Sequence, residues 1–284
     1  MGLQIMGNNG SRKLPSQMKS LGMALGSVNL YALGLLARKG FSSAKSYVTY
    51  TRRLYAGYGL PWIWSNLPWR EDMLVPRITA HELFPDIDFN RSPELLHPFP
   101  RDLSVHPHEL MILCHVMRKF RPARTIEFGT AEGRTALNLA HHAPENGEIV
   151  TLDLPPIPGL NEVGYFYWDS PLKSKIKQIF ADVGTWDPAL YRSSADVVFC
   201  DACDQLPGLA QEMSLAFAVV KPGGVILRHD YGSNEGTTNF WNQVSQHVPV
   251  RHIDGTTLLC LRVETAELYQ KMQEVAARFL KEAA

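Results

Sequence analysis

Asp201, His229 and Asp230 are the residues whose types and placement could do chemistry. Asp201 follows the apolar run in "ADVVFCDACD", and His229 and Asp230 close "KPGGVILRHDYG". Both runs read as short buried strands, so the three side chains would stand at the ends of neighbouring strands, about 4.8 Å apart. Two carboxylates with an imidazole beside them could hold a hard divalent cation such as Mg²⁺. They could instead form a general-base cluster acting on a bound hydroxyl. Asp230 could also simply cap the following turn.

A second group lies in "RTIEFGTAEGRTALNLA", residues 124–140. It almost spells the dinucleotide fingerprint GxGxxG. Counting from Gly129, glycines would be needed where Ala131 and Arg134 stand. The second of those glycines lets a pyrophosphate approach the backbone, and the third lets the helix pack tightly. What remains is a turn at Gly129, a helix start at Gly133 and backbone N–H groups that favour an anion, a carboxylate as well as a phosphate. Thr135 could add a hydroxyl donor. After the next apolar run comes Asp153, about 20 residues beyond the loop, where an acid can accept both hydroxyls of a ribose. Asp182 follows the run after that. It could receive the amino group of adenine, or cap a helix over 186–192.

These residues need a frame that brings strand ends together. From Pro107 onward, apolar runs at 124–128, 148–152, 177–181, 196–200 and 224–229 alternate with helical patterns near 107–120, 132–142, 170–177, 186–192, 206–220 and 236–247. "VPVRHIDGTTLLCLRV" reads as two further strands around Asp254-Gly255, and Leu268 to Leu280 as a closing helix. Strand–helix alternation with right-handed crossovers gives a Rossmann-like, doubly wound α/β sheet of seven strands, one of them antiparallel in a C-terminal hairpin. Ligands then bind beyond the carboxyl ends of the strands, where strand order reverses.

Residues 1–105 form a different region, a helical N-terminal extension before a domain spanning 106–284. Helical patterns fall near 16–38 and 43–58, and the first fourteen or so residues have a disordered composition. Tyr55, Tyr58, Trp62, Trp64 and Trp69 could pack this extension on the core or line a pocket. The segment 84–107, with five prolines, reads as an extended wrap. Leu21 to Ala37 contains Asn29 and three glycines, a poor membrane span.

The chain has 284 residues, with 28 Lys and Arg against 28 Asp and Glu, so a nucleic-acid surface is not expected. Four cysteines are too few for a disulfide framework, and the pair Cys200 and Cys203 lacks the second pair that a zinc site needs. A cytoplasmic protein acting on a small molecule fits this composition, with a homo-oligomer built on the N-terminal part.

At these residues the chain resembles class I S-adenosylmethionine-dependent methyltransferases over about residues 107–263. "EFGTAEGRTALNLA" is similar to the loop of the catechol, caffeoyl-CoA and macrocin types of small-molecule O-methyltransferase, "ADVVFCDACD" to their fourth strand and "VKPGGVILRHDYG" to their fifth. The resemblance implies that Glu127, Gly129, Thr130, Gly133 and Thr135 surround the methionine part of S-adenosylmethionine, that Asp153 holds the ribose and that Asp182 lies at the adenine end. It also implies a divalent metal at Asp201 and Asp230 in the metal-dependent members, holding a substrate hydroxyl beside the sulfonium methyl. Two departures stand out. His229 occupies a position that is acidic in the macrocin and catechol types, which leaves it as a ligand or a general base. Asp204 stands where many relatives carry His. The alternatives to a methyltransferase are an NAD(P)-dependent oxidoreductase, against which the missing glycines count, and a non-catalytic binding subunit.

Overall fold

The computed structural model describes residues 72–98, 104–157, 162–233 and 235–283. The chain divides into two compact units, 1–55 and 56–284, and every described residue lies in the second. The helical patterns at 16–38 and 43–58 and the aromatics from Tyr55 to Trp69 lie outside the described residues.

The elements run β1 (Arg77–Ile78), α1 (Ala80–Leu83), α2 (Pro107–Phe120), β2 (Arg124–Phe128), α3 (Arg134–His142), β3 (Glu148–Asp153), β4 (Ile176–Phe180), β5 (Ala195–Cys200), α4 (Gly208–Val219), β6 (Val220–Arg228), α5 (Glu235–Val244), β7 (Arg251–Ile253), β8 (Leu259–Arg262) and α6 (Ala266–Ala283). They build one sheet in the order β1-β7-β8-β6-β5-β2-β3-β4. Only β8 runs antiparallel to its neighbours, β6 and β7. The doubly wound, mostly parallel sheet with a C-terminal hairpin is as expected, but it has eight strands where seven were expected. The eighth, β1, pairs in parallel with β7 through Arg77↔His252 and Ile78↔Ile253. Two residues carry no alternation, so no periodicity could mark them.

Two expected helices are absent. The stretch 170–177 holds only a 3-10 turn at Pro171–Lys175, and 186–192 only one at Ala189–Tyr191. Each segment spans about two turns, too short to repay helix nucleation.

Alternation along the strands divides the core in two. On β5, Val197 and Phe199 face α2 and α3, whereas Val198 and Cys200 face the side that α4, α5 and α6 cover. Strands buried on both faces read as continuous apolar runs, which is why β2, β3 and β5 were visible in the sequence. The proline-rich wrap lies over α3, where Asn138 Nδ2 donates to Leu96 O at 2.9 Å and Leu96 N donates back to Asn138 Oδ1 at 2.8 Å.

The chain leaves β2 toward β3 and β4 on one side, and β5 leads to β6 on the other. The reversal falls between β2 and β5, so a crevice opens above their carboxyl ends. In register, Phe128 pairs with Cys200 and Cys200 with Arg228, so Gly129, Asp201 and His229 emerge side by side.

Candidate active site

Gly129 closes β2 at φ +94°, and a Cβ there would stand 2.5 Å from the carbonyl oxygen of Asp201. Only glycine lets the two strand ends meet this closely. Gly133 starts α3 at φ +83°, against the ring of Tyr167. The loop between them is tied inward. Gly129 N and Thr130 N donate to Leu152 O, Gly133 N donates to Thr130 O, and Ala131 N donates to Asp153 Oδ2 at 2.7 Å. Those four amides are therefore not open to an anion, contrary to the expectation from the helix start. An anion would have to use the first turn of α3 itself, where Thr135 lies half-buried.

Glu127 faces Thr151 across the β2–β3 ladder. It is fully buried and accepts the Thr151 hydroxyl, and Thr151 in turn shares a 2.7 Å bond with Thr130. Its second oxygen, Oε1, is buried without a hydrogen-bond partner. Burial pushes the carboxyl up to about 8, against the lowering effect of the Thr151 bond. An unsatisfied buried carboxylate oxygen costs free energy unless a donor arrives.

Asp153 ends β3. Its Oδ2 holds Ala131 N and its Oδ1 holds Leu154 N at 2.7 Å, and each oxygen keeps a further lone pair. Asp182 follows β4. Its Oδ1 accepts Gly184 N at 2.6 Å, and its carbonyl accepts Trp186 N, so it caps a turn rather than a helix. Leu154, Phe180 and Leu206, after β3, at the end of β4 and after β5, leave large apolar surfaces exposed along this edge.

The strand-end trio comes together. His229 Nδ1 lies 3.0 Å from Asp201 Oδ1 and 3.4 Å from Asp230 Oδ1. The other ring nitrogen, Nε2, lies 3.1 Å from Glu109 Oε2. Glu109, on α2, is fully buried; its Oε1 accepts Thr257 N at 2.6 Å and the Thr257 hydroxyl at 2.9 Å. Burial opposes charge on His229, but Asp201, Asp230 and Glu109 together hold its pKa well above the usual value. Burial likewise opposes charge on Glu109 and Asp230, and in both the imidazole outweighs it and lowers the pKa. In Asp201 burial wins, and its pKa is raised.

Asp230 adopts φ +66°, a left-handed conformation uncommon for a side-chain-bearing residue and one that clusters at functional sites. The backbone there is stitched to the hairpin loop: Asp230 N donates to the Thr257 hydroxyl at 3.3 Å and Tyr231 N to Thr257 O at 2.9 Å. Arg228, fully buried, donates to Cys200 O and Cys203 O and lies 3.8 Å from Glu212 Oε2, so it braces the loop after β5. Burial raises Glu212 to about 7, against the effect of Arg228. Asp204 Oδ1 turns to Arg228 at 3.4 Å. The four cysteines are free, and burial raises the Cys203 thiol to about 12.

Sequence reasoning missed Glu109, Thr257, Arg228 and Glu212. Glu109 sits third in its helix behind Pro107, where an acid is expected as a cap, and it does accept His106 N at 3.2 Å. The one available signal was a glutamate at the start of an otherwise apolar helical face. A cavity of about 470 Å³ between the wrap and α3, lined in part by His97, Leu137 and Phe166, shares no residue with the strand-end group.

Residues 126–231 match a family model described as a methyltransferase domain. No curated protein matches the chain. Among solved structures, the chain is similar to the S-adenosylhomocysteine-bound methyltransferase PaMTH1 of Podospora anserina, at 18% identity over 58% of this chain and 81% of that one, with a TM-score of 0.44. It is also similar to the O-methyltransferase TomG of Streptomyces achromogenes, solved with S-adenosylmethionine, at 18% identity over 68% and 94%, TM-score 0.47. A third likeness is to a methyltransferase of Geobacter sulfurreducens, at 15% identity over 57% and 81%, TM-score 0.46. Residues 126–231 are therefore similar to a methyltransferase domain, and they lie within the doubly wound sheet described above.

Proposed function

We propose that this chain transfers a methyl group from S-adenosylmethionine to a hydroxyl of a small molecule. The observation that carries the cofactor assignment is the buried, unpartnered Oε1 of Glu127 at the reversal point of the sheet. An ammonium group, such as that of the methionine part, would satisfy it with a charge-assisted bond. Asp153 has lone pairs left for two ribose hydroxyls, and Leu154 and Phe180 offer apolar surface to adenine, with Asp182 at that end. Gly129, Thr130, Gly133 and Thr135 shape the loop around the methionine part. The cofactor supplies an electrophilic methyl on a sulfonium.

Methyl transfer is an in-line displacement, so the protein's tasks are alignment and proton removal. Asp201 and Asp230 are the partly exposed members of the trio and face the crevice. Asp201, whose pKa burial raises, is the better placed to take the acceptor's proton. His229 is nearly sealed off and acts through the two carboxylates. The acceptor is a hydroxylated small molecule, and a homo-oligomer and a cytoplasmic setting belong to the same proposal. Among the described residues, no helix is long and apolar enough to cross a membrane.

The test is calorimetric titration with S-adenosylhomocysteine. Binding is expected for the wild type, with a loss of about tenfold or more in Glu127→Gln, the size of one charge-assisted bond. A folded wild-type chain that binds none would overturn the cofactor assignment. Binding without methyl transfer to any of a broad panel of hydroxylated acceptors would favour a non-catalytic subunit.

A further inference from the structure

Asp201, His229 and Asp230 each present a ligand-type atom within 4.8 Å of the others, the grouping that suggests a divalent cation. The donor set does not fit one. Carboxylates accept hydrogen bonds and do not give them, so a ring nitrogen facing a carboxylate carries a hydrogen. His229 Nδ1 faces Asp201 and Asp230, and Nε2 faces Glu109, so the imidazole has no lone pair left to offer a metal. Asp201 and Asp230 turn one oxygen each to the same N–H. With the imidazole unable to ligate, a hard cation would be left to two carboxylates that already hold the ring N–H, and would have to complete its shell from water or substrate. Asp204, three residues after Asp201, turns to Arg228. Glu109 is occupied by Thr257 and His106.

Two carboxylates at adjacent strand ends repel each other, and a positive charge beside them relieves that repulsion. We infer that the doubly hydrogen-bonded ring of His229, anchored from behind by Glu109, is that positive charge, and that the strand-end site works without a divalent cation. Three carboxylates around the ring favour its charge and outweigh the one guanidinium and two imidazoles that oppose it. Asp201 comes from the end of β5, Arg228 and Asp230 from β6, Glu109 from α2 with His106 and His108 at its start, and the neutral Thr257 from the hairpin. Glu109 is thus a positioning residue: it touches no substrate, and it fixes the ring that orients Asp201 and Asp230. The inference goes beyond the methyl-transfer reading, although its use in catalysis rests on that reading.

The experiment is ¹⁵N NMR of the histidine rings of the full chain, together with titration by Mn²⁺ followed by electron paramagnetic resonance. In the wild type, His229 should show both ring nitrogens protonated at neutral pH, and millimolar Mn²⁺ should leave its resonances unchanged. In Glu109→Gln the doubly protonated signature should be lost, and Glu109→Asp should restore part of it, which a merely structural role would not do. His229→Asp replaces the cation with a third carboxylate, and Mn²⁺ affinity should rise by about tenfold or more. Micromolar Mn²⁺ binding by the wild type, or a neutral His229 ring, would overturn the inference, and these wild-type readings stand whether or not a variant folds. Binding of S-adenosylhomocysteine is measured on the same samples. A chain that binds both it and Mn²⁺ overturns this inference alone; one that binds neither overturns the methyl-transfer reading and leaves the metal-free ring intact.

Discussion

Glu127 and His229 are both buried ionisable residues at strand ends, and their surroundings drive them in opposite senses. Glu127 has one hydroxyl partner and a second oxygen buried without one, and burial raises its carboxyl to about 8. His229 has a carboxylate on each nitrogen, so it stays charged. The raised Glu127 has a consequence for binding. Between its ordinary value of 4.5 and about 8 the folded chain holds a proton there that an unfolded chain would release. This group's contribution to stability is therefore largest below the ordinary value and is lost as pH rises toward 8. A ligand ammonium at Oε1 would expel that proton. Affinity for S-adenosylhomocysteine should then increase as pH rises through the window and level off near 8, with up to one proton released per ligand. Calorimetry in buffers of different ionisation enthalpy reads this directly. Glu127→Gln should abolish the release, and an affinity flat across the window in the wild type would show that the ligand does not meet Glu127.

At the scale of elements, the site depends on how closely two strand ends approach. Gly129→Ala combines a positive φ with a Cβ 2.5 Å from the Asp201 carbonyl oxygen, and should cost about 2–3 kcal/mol in denaturant unfolding and weaken cofactor binding. Gly255→Ala, also at positive φ but with nothing within 4 Å of the added Cβ, should cost only about 1 kcal/mol and leave binding alone. Equal losses in the two variants would mean that the approach of β2 to β5 is unimportant. Much of this scaffold was legible in the sequence. Doubly buried strands announce themselves as apolar runs, and the residues just after them are the ones the crevice gathers. What escaped was of two kinds. The expected helices at 170–177 and 186–192 gave way to 3-10 turns because their short length outweighed the helical pattern. Glu109 escaped because its partners, His229 and Thr257, are more than a hundred residues away, and locally it reads as a helix cap.

Among the described residues, one set of bonds links the sheet edge to the strand-end site. The segment before β1 is held by α5: Asn242 Oδ1 accepts Leu74 N at 2.9 Å and the Tyr231 hydroxyl at 2.6 Å, and Asn242 Nδ2 donates to Asp72 O. Tyr231, which accepts Val75 N at 3.1 Å, directly follows Asp230. Asn242→Ala should cost about 1–3 kcal/mol by leaving buried groups unpaired. Hydrogen exchange at Leu74 and Val75 should quicken first, and unchanged exchange there would show that the edge is held otherwise. The central claim, that this crevice seats S-adenosylmethionine with its methyl facing the Asp201–Asp230 pair, is tested most directly by a crystal structure with S-adenosylhomocysteine. The account predicts the amino group on Glu127 Oε1, the ribose on Asp153, and the sulfur open toward Asp201 and Asp230, with no metal density between them in crystals grown with Mg²⁺. A ligand seated elsewhere, or a site empty at saturating concentration, would contradict it.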